Sequence, residues 1–322
     1  MSQSNNVQSV CFVIVYLGKF PPWLPAFLVS CGGNPNINWL IFTDATIPSS
    51  KPENVTFQSI NLATFIEMAS YSMGCDVSFT KHYKLCDFKP IYGAIFSEYL
   101  KKYNYWGHCD LDVIWGDIES FLREIDFNKY DIISSRKISV SGHFTLYKNT
   151  SEINQFFKQV PNYHKVFIKD GCSRFDEGFF CYHLYKQSLN ENFKWKIYWP
   201  SNFAVDRWEL EKNPFGWHWS NGKILGLMGT EHVYIHFMNW KKSLRKIDFS
   251  YDDLPDQFKI TKHGIWSKSM GLIQRIKYLS SLNLKILLIH YFQEFYSIIR
   301  SKFFKKNDKL HPHIKSGYEI IE

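Results

Sequence analysis

Two apolar runs near the amino end restrict the architecture of this chain more than any other feature. "VCFVIVYLG" (residues 10–18) and "INWLIFTD" (37–44) are almost continuously apolar, as strands buried on both faces of a parallel sheet must be. Between them "PPWLPAFLVSCGGNP" starts with prolines and stops with Gly-Gly-Asn-Pro, the punctuation of a helix. Strand, helix and strand make a βαβ unit, and ligands bind such units at the carboxyl ends of the strands. Tyr16, Leu17, Gly18, Thr43 and Asp44 are therefore expected beside a nucleotide.

The remaining pattern continues as α/β. Residues 48–58 read as a loop leading to a short strand, and 61–103 as mostly helical. "KPIYGAIFSEYLKKYN" (89–104) carries a one-faced apolar pattern with a basic end. "YWGHCDLDV", "DIISS", "GHFTLYKN" and "VYIHF" are strand-like, and "FGWHWSNGKILG" (215–226) reads as a surface hairpin. With 322 residues and no repeat or low-complexity linker, one domain over 1–245 followed by a helical, basic appendage over 246–322 is the simplest partition.

Charge and cysteine usage exclude several classes. Of the net charge of +8, the segment 265–306 supplies +7, with eight Lys/Arg against Glu294 alone. A near-neutral body with a basic tail is not the spread basic face of a nucleic-acid binder, and no nucleic-acid partner is expected. Seven scattered cysteines without a C-x-x-C pair argue against a disulfide framework or a structural zinc site and fit a reducing compartment. The amino end lacks a basic n-region, and its apolar run is too short to span a bilayer, so a cytoplasmic location is expected. The 18% aromatic content suits a thick core or rings stacked on sugars and bases.

Asp110 and Asp112 sit at the end of an apolar strand, where an ionised carboxylate is costly unless a cation meets it. In extended backbone, residues two apart point to the same side, so both can converge on one ion. Oxygen ligands of this kind suit Mg²⁺ or Mn²⁺ carrying substrate phosphates. The other reading of the pair is two solvated turn aspartates. Asp117 is expected to cap the helix that follows. Dehydrogenase, P-loop, α/β-hydrolase and zincin motifs are all missing from the chain.

In this order "FTD", "KLCDFKP", "WGHCDLD", "GHFTLYKN", "FDE" and "YIHF" resemble the bacterial polysaccharide-biosynthesis glycosyltransferase-like proteins. The order also parallels retaining transferases related to the lipooligosaccharide galactosyltransferases. The resemblance covers roughly residues 10–245 and implies a GT-A-like mixed, mostly parallel sheet flanked by helices. It implies that Asp110 and Asp112 hold a metal on a donor diphosphate, that His236 completes the metal site, and that Lys242, or alternatively Lys241, touches the diphosphate. "NW" between His236 and Lys241 departs from the family pattern.

By the same resemblance Asp87 accepts from sugar hydroxyls while Lys89 or Lys84 faces the phosphates, although Asp87 reads equally well as the cap of a Pro-started helix. Asp176 and Glu177 are adjacent; as strand residues they would face opposite ways, so one alone would enter the site as general base or donor-positioning group. His143, after a glycine, is a candidate acceptor or donor contact.

The expected function is metal-dependent transfer of a sugar from a nucleotide diphosphate, UDP-linked by default, to a surface polysaccharide or lipid-linked glycan. A nucleotidyltransferase acting on sugar phosphates and a non-catalytic carbohydrate-binding protein are the alternatives. The segment from 271 is too charged to span a bilayer yet strongly apolar. It reads either as helices packed on the body or as an interfacial anchor on an anionic surface, which would place the protein peripherally on the cytoplasmic face of the inner membrane.

Overall fold

The computed structural model describes residues 9–199, 204–205, 216–226, 229–237, 247–261 and 264–267. Strand β1 (Val10–Tyr16), helix α1 (Leu24–Gly32) and strand β2 (Ile37–Thr43) form the expected βαβ unit, which β3 (Val55–Ser59) extends in parallel. On the other side of β1 lies β4 (Tyr105–Cys109), also parallel. The chain then leaves this sheet for β5 (Val113–Trp115) and returns as β6 (Ile132–Ser134), β7 (Phe144–Lys148) and β8 (Ile197–Tyr198). The order is β3-β2-β1-β4-β7-β6-β8, with β7 antiparallel to both of its neighbours. This is a mixed α/β fold with a mostly parallel central sheet flanked by helices.

The strand period explains why the first runs are apolar throughout. Cys11 and Val13 of β1, with Leu40 and Phe42 of β2, enter the core on one face of the sheet. Val10, Phe12 and Ile14, with Trp39 and Ile41, enter the core on the other. Helix α1 is buried nearly all round because its second side, through Ala26 and Val29, packs on a third core. Helix α2 (Leu62–Met73) is capped by Asn61, whose side chain accepts from the Thr64 N–H, and it ends at the left-handed Gly74.

The third core belongs to two small sheets. β9 (Ala204–Val205) precedes a hairpin of β10 (Trp217–Ser220) and β11 (Lys223–Leu225), followed by β12 (Glu231–His232) and β13 (Tyr234–His236). β13 pairs antiparallel with β5 and parallel with β9. β14 (Gln257–Thr261) and β15 (Gly264–Trp266) complete a five-stranded sheet with the order β12-β11-β10-β14-β15. The hairpin foreseen at 215–226 turns through Asn221 and Gly222, both at positive φ, as tight hairpins require. It is not a surface element, because Trp217, Trp219 and Ile224 are buried.

Three readings differ from the expected helices and strands. In the appendage expected to be helical over 246–322, β14 and β15 instead pair into the five-stranded sheet. The single helix read over 89–104 is instead a 3₁₀ helix, His82–Ile91, followed by short α turns at Tyr92–Ile95 and Ser97–Leu100. Pro90 lies inside the 3₁₀ segment and lacks an N–H, and Phe88, Ile91 and Phe96 bury in the core whatever the helix type. "RFDEGFF" is not a strand: Phe175–Phe180 form a π-helix that runs into the α-helix Cys181–Ser188. Among the described residues no helix is long and apolar enough to cross a membrane.

Candidate functional site

β1, β2 and β4 run parallel, so their carboxyl ends meet at one edge of the sheet. The acidic pair emerges there. Asp110 follows the last residue of β4, and Asp112 precedes the first residue of β5. They converge through a bend between two sheets rather than through extended backbone. Three contacts fix that bend. The Trp23 indole N–H at the start of α1 donates to the Leu111 carbonyl at 2.9 Å. The Phe237 N–H donates to the Asp112 carbonyl at 3.1 Å, and β13 pairs with β5 so that His236 lies opposite Val113.

This pairing brings His236 to the carboxylates from 124 positions away. One ligand atom each of Asp110, Asp112 and His236 lies within 4.8 Å of the others. The His236 Nε2 is 3.5 Å from Asp112 Oδ2 and 3.8 Å from Asp110 Oδ2. Both ring nitrogens of His236 are buried without a hydrogen-bond partner among the described residues. An imidazole so placed is expensive to bury unless a ligand meets it. Two carboxylates and one imidazole are a donor set suited to a divalent ion, and the imidazole favours Mn²⁺ over the strictly oxygen-seeking Mg²⁺.

The surroundings support both ends of this cluster. The His143 ring stacks on His236 with centroids 4.0 Å apart, and the Tyr234 hydroxyl and His143 Nδ1 are hydrogen-bonded at 2.8 Å. Burial, reinforced by the neighbouring His236, holds the His143 pKa well below the ordinary value. Lys89 donates to Asp110 Oδ1 at 2.6 Å and to the Gly142 carbonyl at 2.8 Å. The acidic pair does have a cationic neighbour, brought from the 3₁₀ helix rather than from adjacent sequence. Asp110 keeps Oδ2 turned toward His236, so the lysine and an ion can share this carboxylate. Burial pulls the Lys89 pKa down, but Asp110 and Asp176 together carry it well above the usual value.

The π-helix supplies the last wall. A Cβ on Gly142 would lie 3.0 Å from Asp176 Oδ2, 3.2 Å from Glu177 Oε1 and 3.4 Å from Lys89 Nζ, so both acids reach this glycine. The expectation that only one of them enters followed from strand geometry, and the π-helix replaces it. Glu177 accepts from the Gly142 N–H at 3.0 Å and pairs with Arg136 at 3.3 Å, with its side chain 40% exposed. Asp176 is buried, and desolvation, with Glu177 beside it, raises its pKa well above the carboxylate range. His108 was not singled out by sequence; it is fully buried, with Nδ1 3.2 Å from the Gly142 carbonyl. An unbroken apolar strand was the only sequence signal around it.

Lys84 and Asp87 take a different place from the one anticipated. They form an ion pair at 2.9 Å with both side chains wholly buried. Lys84 also donates to the carbonyls of Val166 (2.6 Å) and Gly171 (3.0 Å), which uses its three donors. Asp87 accepts from the N–H groups of Ser173 and Phe175, each at 2.8 Å. Together they hold the loop that leads into the π-helix, and neither side chain is exposed.

At the carboxyl ends of β1 and β2, the Gly18 N–H donates to Asp44 Oδ1 at 2.6 Å, with Gly18 at a φ of 101°. Thr43 is buried and accepts from the Ala45 N–H. Tyr16 stacks on Phe20, and its hydroxyl donates to the Lys19 carbonyl. Asp117 caps the helix Ile118–Glu124, as expected. Lys241 and Lys242 lie outside the described residues, as does the basic segment from 268 onward.

The sequence matches DUF6625, a family of unknown function, over residues 12–269. No curated protein matches it. Among solved structures the chain is similar to the galactosyltransferase LgtC in complex with donor and acceptor sugar analogues, at 11% identity and a TM-score of 0.32, covering 60% of this chain and 75% of that one. It is similar to mouse xyloside xylosyltransferase 1 in its apo form, at 9% identity and a TM-score of 0.35, covering 63% and 90% respectively. It is also similar to the glycosyltransferase GlyE of Streptococcus pneumoniae TIGR4, at 10% identity and a TM-score of 0.37, covering 89% and 64%.

Proposed function

We propose, for a chain that belongs to the DUF6625 family of unknown function, that it is a metal-dependent glycosyltransferase using a nucleotide diphosphate sugar, UDP-linked by default. The observation that carries this is the gathering of Asp110, Asp112 and His236 at the carboxyl ends of parallel strands, with both buried His236 nitrogens lacking a hydrogen-bond partner among the described residues. These three residues would hold Mn²⁺ in preference to Mg²⁺. Bound there, the ion would supply Lewis-acid stabilisation of the charge that develops on the leaving diphosphate.

The protein's own groups divide the remaining work. Lys89 keeps one oxygen of Asp110 neutralised and sets that carboxylate's orientation. His143 fixes the His236 ring by stacking. Tyr16, Gly18, Thr43 and Asp44 form the strand-end floor on which the nucleoside rests. Glu177 stands on the open side and accepts the proton of an acceptor hydroxyl at Oε2, the oxygen not engaged by Gly142 and Arg136, or positions the donor sugar. Asp176, buried beside Lys89 and Glu177, completes the same wall. Lys242, with Lys241 as the alternative, reaches the diphosphate. Lys84 and Asp87 act through the π-helix they support.

The test is a thermal-shift and calorimetric comparison of UDP, GDP and CMP, each with and without Mn²⁺. UDP should stabilise the protein only when Mn²⁺ is present. His236→Ala is expected to weaken Mn²⁺ affinity about 10- to 100-fold, the range found when a supporting partner of a metal site is lost. Lys242→Ala should raise the nucleotide Kd with Mn²⁺ affinity nearly unchanged. Equal behaviour of the two variants, or sensitivity at Lys241 instead, would reassign these roles.

The acceptor in this proposal is a growing surface polysaccharide or a lipid-linked glycan, and the basic segment from 268 onward brings the enzyme to an anionic membrane surface. Each Lys or Arg near such a surface contributes about 1 kcal/mol, and salt screens the attraction. The intact protein is expected to sediment with phosphatidylserine-containing liposomes at low salt and to be released at high salt. Failure to sediment at low salt removes the membrane from the proposal and leaves the nucleotide site untouched.

A further inference from the structure

Sequence spacing gives no reason to pair any two of the seven cysteines, yet the fold brings two of them together. Cys86 lies on the 3₁₀ helix and Cys172 on the loop ahead of the π-helix, and their sulfur atoms are 3.0 Å apart. Both are reduced and half-buried, whereas Cys11, Cys31, Cys109 and Cys181 are sealed in the core. The Cys86 sulfur is also 2.9 Å from the Tyr83 carbonyl, and the Cys172 sulfur is 3.6 Å from Asp87 Oδ1.

A metal site is the first alternative, because Asp87 lies beside both sulfurs. Asp87, however, already pairs with Lys84 and accepts from two backbone N–H groups. That leaves two sulfurs and no third donor among the described residues for a tetrahedral zinc site.

We propose that Cys86 and Cys172 form a reversible dithiol–disulfide site, oxidised by a small-molecule disulfide. A disulfide bond is about 2.05 Å long, so the sulfurs need to close by only about 1 Å. The hydrogen bond from Cys86 lowers the Cys172 pKa below the ordinary thiol value, whereas the Cys86 pKa is raised, first by that hydrogen bond and then by burial. Cys172 is therefore the attacking sulfur. Its thiolate displaces one thiolate from glutathione disulfide and forms a mixed disulfide. Cys86 then loses its proton to solvent and attacks the Cys172 sulfur, expelling the second glutathione thiolate. Two protein thiols are oxidised, and one glutathione disulfide is reduced to two thiols.

The bond would tie together the two segments that carry Lys89 and Asp176. Cys86 is three residues before Lys89, and Cys172 is four before Asp176. Oxidation thus staples the lysine side of the site to its acidic wall.

The experiment uses the full-length reduced protein, titrated anaerobically with glutathione disulfide and mapped by non-reducing peptide mass spectrometry. Two of the seven thiols should disappear first, with the loss of two hydrogens in mass, a cross-linked peptide joining Cys86 to Cys172, and a higher Tm. Dithiothreitol should reverse all of these changes. Cys86→Ser should stop at a glutathione adduct on Cys172, and Cys172→Ser should yield no cross-link. A first cross-link between any other pair, or a wild-type adduct on Cys172 that never resolves, would overturn the proposal. So would stoichiometric Zn²⁺ retention that shields both sulfurs from thiol reagents.

Discussion

Asp112→Asn protein is expected to fold normally and to lose Mn²⁺-dependent UDP binding altogether. The Asp112 carboxylate is 4% exposed, faces His236 at 3.5 Å, and shares a 4.8 Å cluster with Asp110. Asparagine keeps the shape but removes the charge that a divalent ion requires. The affinity should fall by at least about 100-fold, the upper end of what losing a mere supporting partner costs. Without the ion, removing one of two neighbouring carboxylates relieves repulsion, so stability should not suffer. Asp110→Asn should behave similarly toward Mn²⁺ but should also turn the Lys89 ion pair into a weaker neutral hydrogen bond. Calorimetric titration of Mn²⁺ and UDP, with circular dichroism to verify folding, decides the matter. Parental UDP binding by either variant in the presence of Mn²⁺ would sink the metal reading.

The largest effect on stability should come from Asp87→Ala. It strands the Lys84 ammonium in a site with no solvent access and leaves the Ser173 and Phe175 N–H groups without their acceptor. Breaking one side of such a pair costs about 3–5 kcal/mol, against a typical total stability of about 5–15 kcal/mol. Lys101 and Glu98 provide the contrast. Their pair is similar in separation along the chain, yet its side chains are 69% and 77% exposed. Exposed pairs contribute about 0–1 kcal/mol, so Glu98→Ala should be nearly silent. Urea denaturation of the two variants separates these cases, and equal midpoints would contradict the structural role given to Asp87.

The parts of this protein legible in its sequence are those governed by local period and punctuation. The buried strands β1 and β2 announce themselves because residues on both faces must be apolar, and the Pro start and Gly-Gly stop of α1 lie in one short stretch. Asp110 and Asp112 are conspicuous because charge interrupts an apolar run. The π-helix at Phe175–Phe180 was illegible, since a short run of large apolar residues around an acidic pair also fits a strand. Only its packing against the 3₁₀ helix and the Asp87 acceptor at its entrance select the other conformation. Lys89 could not be assigned to Asp110, nor Cys86 to Cys172, because both contacts depend on where the chain folds back and not on spacing. Lys84 looked like a phosphate ligand because sequence does not reveal that three acceptors are waiting in the core.

The pairing of β13 with β5 also sets an order of events as the chain folds. Asp110 and Asp112 are delivered together by one bend, but His236 joins them only after more than a hundred intervening residues have been organised. Contacts of such sequence separation form late, since the entropy of closing the loop is lost before the contact returns anything. The complete ligand set therefore belongs to the native state and not to the folding nucleus. If the proposed ion binds there, it would slow unfolding while leaving the refolding rate nearly unchanged, a latch on a finished molecule and not a seed for its assembly.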